Sequence, residues 1–511
     1  MSALGAQAVG WQDGDGFASH VRRQQMIAAA AALTISVACA VVLVASDEKV
    51  LLLAVLGSAL VGVVVLMRPV IGVYALFAGA VLFEQTGITG LTPITEQVHF
   101  FKGIDTFTAL PLHASPADLL LVLSAVSLVA AHLTGRVPFR MGTFGWAVAG
   151  YGAAFVVGIA IGIARGAAWS ADAAITELRS PLQMCVMYFL AASLIRERKQ
   201  LTVLLWMFAL LVGVKALQGI LNYQESLDLS YALEAVTGHE DVVFFDLAIV
   251  LSLVMLALGV RTRFAYTLLA LQPLILGAEI LTQRRVGFAA LGTALLVLAV
   301  LFIAGNPRRG LLLAGVGALA IGAYVMVFWE QEDGPLAQPI RTLRAALDPT
   351  SVSARDLSSD NWRLIENRNI KFTIDAFPLT GVGVGGRYIQ HEQPPSMTYV
   401  FEYWRYITHN ALLWLWLKAG PLGGFALWFL VARVLLVGSA MYVRIRDARQ
   451  RVIVLLPVAL MTIQVAFSSV DMGLTHARPM IVLGTVLGAS AFLFARTVSA
   501  ESLGAVRVRP V

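Results

Sequence analysis

The chain has 511 residues, of which 58% are hydrophobic and only 13% charged, with a mean hydropathy of +0.78. This composition excludes a water-soluble enzyme, because apolar runs of about 20 residues recur along nearly the whole length, the signature of helices that cross a bilayer. The net charge of +6 does not point to a nucleic-acid partner, since basic residues in a membrane protein collect in its cytoplasmic connections.

Residues 1–25 are polar and Gly-rich and end near Arg22-Arg23, which reads as a cytoplasmic tail. The run 26–45 is too long for a cleaved signal and is followed at once by another span, so it reads as a retained anchor. Further spans are expected at 50–67, 69–84, 116–134, 144–164, 181–195, 200–221, 242–260, 264–281, 286–304, 310–329, 421–443, 451–470 and 475–496. Pro69, Pro181 and Pro421 mark the starts of three of them. The fold class is therefore an all-α polytopic membrane protein of about 14 transmembrane helices, with one large extracytoplasmic loop that itself contains helices. Membrane helices fill 26–329, the loop 330–420 includes a short re-entrant or interfacial helix, more spans fill 421–496, and 497–511 form a cytoplasmic tail. Cys39 and Cys185 lie far apart inside apolar runs and read as packing residues.

With the N-terminus in the cytoplasm, the inner connections are all basic: Arg68, Arg136 with Arg140, Arg196 to Lys199, Arg261 with Arg263, Arg308-Arg309, Arg444 to Arg451, and the tail with Arg507 and Arg509. The outer connections are mixed or acidic, so the alternation agrees with the positive-inside rule along the chain. Arg284-Arg285 breaks that rule. A basic pair on the outer side, beside a span, is suited to hold an anion, or else it is an interfacial anchor. Other ionisable residues gather toward the same face: Arg179, Lys215, Glu240, Asp241, Asp246, Glu279, Asp471, His476 and Arg478. A transporter would more often carry such groups at mid-membrane on paired repeats, and no repeat is evident between the halves.

The loop has its own organisation. Asp360 or Asn361 is expected to cap a helix whose Trp362, Ile365, Phe372 and Phe377 share one side and whose Arg363, Arg368 and Lys371 supply donors. Pro378 stops it. The run Thr380 to Gly386 follows, with Gly383 and Gly385 able to let backbone N–H groups approach an anion or sugar, or simply to form a flexible turn. It lacks the context of a dinucleotide or phosphate loop. Tyr388, Tyr399, Phe401, Tyr403, Trp404 and Tyr406 can stack on sugar faces or belt the interface. His409-Asn410 then opens a short helix, broken at Gly420-Pro421 before the next span.

An Arg-bearing helix, Pro378 to Gly385, His409-Asn410-Ala411-Leu412-Leu413 and Gly420-Pro421-Leu422-Gly423, in that order, resemble the O-antigen ligase and polymerase family of polytopic membrane glycosyltransferases. Leu281 to Gly287 is similar to that family's outer-face arginine motif, with Arg285 in the arginine place and Arg284 and Val286 departing from it. The likeness covers roughly 179–430 and does not separate ligase from polymerase. It implies a bacterial cytoplasmic-membrane enzyme whose site faces the periplasm or exterior. Its partners would be an undecaprenyl diphosphate-linked glycan donor, a glycan, lipid or protein acceptor, and the bilayer. It implies His409 as the base on the acceptor hydroxyl, and Arg285, Arg284 and Arg179 on the diphosphate, with Arg363, Gly383, Gly385 and Asn410 as further loop contacts. No metal and no cofactor is expected, since no Asp-x-Asp motif and no His/Cys cluster lies near the loop. A lipid-linked glycan transporter or flippase, or a non-catalytic partner in polysaccharide assembly, are the other readings.

Overall fold

The computed structural model describes residues 60–506 apart from short segments at 88–89, 92, 107–112, 167–168, 230–235, 332–333, 348–353 and 399–400. The expected span 26–45, most of 50–67, both extreme tails, Cys39 and Tyr399 therefore lie outside the described residues.

Residues 60–67 are helical, and fourteen longer helices follow among the described residues. They are α1 Val70–Leu82, α2 Pro116–Leu133, α3 Gly145–Arg165, α4 Ala171–Leu194, α5 Arg198–Ser226, α6 Asp241–Ala257, α7 Arg263–Leu281, α8 Arg285–Gly305, α9 Pro307–Phe328, α10 Gln338–Leu347, α11 Ala354–Ala376, α12 Ala411–Arg444, α13 Ala448–Ser468 and α14 Ala477–Val506. Among the described residues, eight helices are long and apolar enough to cross a membrane, and two apolar helices, Val70–Leu82 and Ala477–Ala491, are shorter. The chain is thus an all-helical, multi-pass membrane protein.

Side-chain caps explain several boundaries. Ser115 and Asp118 form a reciprocal capping box with Pro116 at the first helical position of α2. Ser170, Thr262, Asn306, Asn410 and Asp447 each accept a backbone N–H from the first turn of the helix they precede. Three boundaries differ from expectation. The helix α4 begins ten residues ahead of Pro181, because Ser170 caps it and the proline is accommodated inside. The helix α14 runs on to Val506, into the segment read as a tail. The helix α11 starts at Ala354, so Asp360 and Asn361 lie within it and cap nothing.

The break in α12 falls where expected. Ala419 and Gly420 leave helical geometry, Gly420 with φ 60°. A side chain there would collide with the Leu379 carbonyl, so the bend requires glycine. The break frees the Leu417 carbonyl, which accepts the Val382 N–H at 2.7 Å and so ties the loop to the helix.

The connections segregate to opposite ends of the bundle. At one end Trp169 donates to the Val384 carbonyl at 3.0 Å, Arg165 to Thr380 at 2.6 Å, Ser180 to the Thr475 carbonyl at 2.5 Å, and the Ala477 N–H to Gln85 at 2.7 Å. At the other, Arg196 donates to the Pro138 carbonyl at 2.8 Å, the Arg140 N–H to Ser193 at 3.1 Å, and Tyr442 packs on Phe302. These two groups are the connections that the charge alternation assigns to opposite faces. The apolar core lies between them, and α4 and α14 cross closely because Gly484 and Gly488 sit against the Met184 and Tyr188 carbonyls.

Candidate functional site

The helix α11 organises the end of the bundle that carries the loop. Its buried residues are Trp362, Glu366, Asn369, Ile370 and Thr373, at helical spacing. Phe372, expected on the apolar side, is exposed instead. The buried face is half polar because it holds the returning chain. Asn369 exchanges hydrogen bonds with the Glu392 backbone at 2.7 and 2.8 Å, and Thr373 accepts the Ile389 N–H at 2.9 Å.

His409 lies just ahead of the Asn410 cap of α12 and meets that face. The Glu366 carboxylate, 1% exposed, accepts the His409 backbone N–H at 3.0 Å and lies 3.2 Å from Nδ1. As a carboxylate Glu366 only accepts, so the ring hydrogen belongs on Nδ1 and Nε2 keeps its lone pair. The Trp362 ring meets the imidazole edge to face, with centroids 5.0 Å apart. The His409 side chain keeps 22% of its surface accessible. Asn410 is itself used as the cap, its Oδ1 accepting the Leu413 N–H at 3.1 Å.

The arginine pair sits on the tight turn between α7 and α8. Gln283 has φ 54°, an unusual value for a residue with a side chain, and Gln338 of α10 donates to its carbonyl at 3.3 Å. Arg284 is the N-cap residue of α8 and Arg285 its first helical residue, at the positive end of the helix dipole. Arg285 makes a two-pronged contact with Asp360 at 3.0 and 3.1 Å, and Arg363 lies 3.7 Å from the same carboxylate. Arg284 donates to His239 Nε2 at 2.8 Å. Two guanidiniums therefore share one carboxylate, with Arg284 next in the chain. The helix α11 thus carries Asp360, which touches Arg285, six residues from Glu366, which touches His409. That interval is roughly 9 Å of axial rise.

The structure separates the remaining expected residues from this cluster. Arg179 is held by Asp118, with Nε at 2.8 Å, and donates to the His113 carbonyl at 3.1 Å. Those bonds run between α2 and α4, not to the arginine pair. Gly383 and Gly385 are buried, and the glycine run packs between α3, α4 and α12. A side chain at Gly383, where φ is 85°, would strike the Gly162 backbone. The Gly385 N–H is given to Glu177 at 2.7 Å. The same Glu177 pairs with Lys418 at 2.6 Å, both side chains fully buried, and Lys418 also donates to the Gly386 carbonyl at 2.6 Å. The run therefore acts as a packed joint, with backbone donors turned toward protein acceptors.

Sequence reasoning missed Glu366, His239, Glu177 and Lys418. A second buried network lies beside the site. Arg478 pairs with Glu240 at 3.1 Å and Asp241 at 2.5 Å, and Lys215 pairs with Glu84.

Fold and site together define a multi-pass membrane protein with a His–Glu pair and an arginine cluster at the loop-bearing end of its bundle. Residues 270–429 match the model of the family described as O-Antigen ligase, Wzy_C. That stretch holds Arg284, Arg285, the whole loop and His409. No curated protein gives a significant match.

Proposed function

We propose that the protein is a membrane glycosyltransferase of the O-antigen ligase or polymerase type, in a bacterial inner membrane. It would move a glycan from an undecaprenyl diphosphate-linked donor to an acceptor hydroxyl at the outer face. The observation that carries this reading is His409, with Nε2 left as a base and Nδ1 against buried Glu366, a residue of the same helix whose Asp360 meets Arg285. His409 Nε2 takes the acceptor proton, the acceptor oxygen attacks the anomeric carbon, and the bond from that carbon to the diphosphate oxygen breaks. Undecaprenyl diphosphate leaves with the electron pair, and Arg285, Arg284 and Arg363 offset its charge. Arg179 is the outlying member of the proposed set, bonded to Asp118 of α2 and not to the pair or its partners.

Arg285→Lys keeps the charge and loses the planar fork, so donor turnover should fall substantially with normal membrane insertion. Full transfer by both Arg284→Ala and Arg285→Ala would reduce the pair to an interfacial anchor. The outward placement of the loop has its own check. A cysteine replacing Ser358 should react with a membrane-impermeant maleimide in intact spheroplasts; reaction only after the membrane is breached overturns the orientation. The deletion phenotype then separates the two reaction types. Single repeats with chain length lost mean polymerase, and free lipid-linked polymer means ligase.

One observation favours a second reading, transport of a lipid-linked glycan. Asp246 and Glu279 are buried close enough to act on one another, and neither carboxyl has a hydrogen-bond partner among the described residues. Paired membrane carboxyls serve proton-coupled carriers. Donor turnover by the purified protein with an added acceptor, in detergent with no gradient, decides for transfer.

A further inference from the structure

One buried carboxylate faces a histidine from a separate connection. Asp471, 4% exposed, lies in the turn between α13 and α14. Its Oδ1 accepts the Met472 N–H at 2.7 Å, and its Oδ2 lies 3.7 Å from His239 Nδ1. Burial alone would raise the Asp471 carboxyl, but the His239 Nδ1 edge that faces it, with His476 and His409, outweighs burial and holds the group well below the usual range.

The opposite edge of His239 meets the arginine pair. Arg284 has only donors, so its 2.8 Å contact with His239 Nε2 requires that nitrogen to accept. The ring hydrogen then belongs on Nδ1, facing Asp471. The carboxylate selects the tautomer, the tautomer presents a lone pair to Arg284, and that bond constrains where the guanidinium points. Without the negative charge the ring can carry its hydrogen on Nε2 instead, where it opposes an Arg284 N–H.

We infer that Asp471 and His239 form a positioning relay that aims Arg284 at a diphosphate, so that residue 471 must be anionic only while residue 239 is a histidine. Neither residue touches the substrate. The inference rests on the reading of the arginine pair as the diphosphate site and adds what orients it.

The test is binding of undecaprenyl diphosphate to the full chain in nanodiscs, with thermal unfolding as a fold control. Asp471→Asn keeps the size and the acceptor for the Met472 N–H but loses the charge. It should weaken binding about tenfold, as a lost charge-assisted hydrogen bond does. Arg284→Ala should weaken it to a similar degree, and the two together no further, because they remove the same contact. His239→Leu should behave likewise. His239→Gln offers a carbonyl oxygen to Arg284 and an amide donor to Asp471 without tautomers, so it should retain most binding. In that background Asp471→Asn should then have little effect.

Additive losses from Arg284→Ala and Asp471→Asn, or an undiminished Asp471→Asn effect in the His239→Gln background, would overturn the relay and leave the diphosphate reading intact. Unchanged binding by Arg284→Ala would remove Arg284 from the diphosphate site, and the relay with it.

Discussion

His409→Ala should abolish glycan transfer while protein level, membrane insertion and donor binding stay normal. Its imidazole combines a buried carboxylate within 3.2 Å of Nδ1 with a partly accessible side chain. General-base assistance of this kind is worth roughly 10²–10⁴-fold, so the residual rate should fall by at least that much. Glu366→Gln should give a smaller loss, because an amide can present either its oxygen or its NH₂ to Nδ1 and only the first keeps the productive tautomer. The rival base is His476, 3.8 Å from Glu240 and largely enclosed, with neither ring nitrogen hydrogen-bonded among the described residues. Purified His409→Ala with a wild-type turnover of lipid-linked donor, alongside an inactive His476→Ala, would reverse the assignment.

The largest effect on stability should come from the joint between loop and bundle. Glu177→Ala leaves the Lys418 ammonium buried without its counter-ion and takes away the acceptor of the Gly385 N–H. Breaking one side of such a pair costs about 3–5 kcal/mol, and the unfolding temperature in detergent should drop accordingly. Replacing both partners with apolar residues, as Glu177→Leu with Lys418→Met, removes the stranded charge and should recover part of the loss. A single mutant that melts with the wild type, or a double mutant worse than the single, would show that the pair does not hold the glycine run in place.

Much of the helical layout is legible in the sequence because bilayer crossing imposes one strong rule, a long apolar run. The break at Gly420 is legible for a similar reason, since Gly-Pro interrupts such a run. The site is legible only where it offends a rule. Arg284-Arg285 stands out as a basic pair against the expected charge alternation, and His409 as a polar residue at the start of an apolar helix. Glu366 offends nothing. It lies in a polar segment, and its role appears only when α11 turns it inward toward a chain 43 residues away. Asp360 misleads for a related reason. Beside Asn361 it looks like a cap, yet the helix begins at Ala354 and leaves the carboxylate free for Arg285. The glycine run misleads differently: its density suggests an open anion cradle, whereas the glycines are needed because α3 and α12 approach too closely for any side chain.

The helix α11 also works as a spacer. One regular rod meets His409, the proposed base, through Glu366 and the arginine turn through Asp360, so the gap between them is set by residue count and helical phase. A single residue inserted between these two carboxylates would rotate one against the other by about 100° and lengthen the interval by about 1.5 Å. Both partners are tied to the bundle and could not follow. The segment can therefore drift in composition on its exposed side while its length between residues 360 and 366 stays fixed, and an insertion there would uncouple proton removal from diphosphate departure without deleting any side chain that performs either.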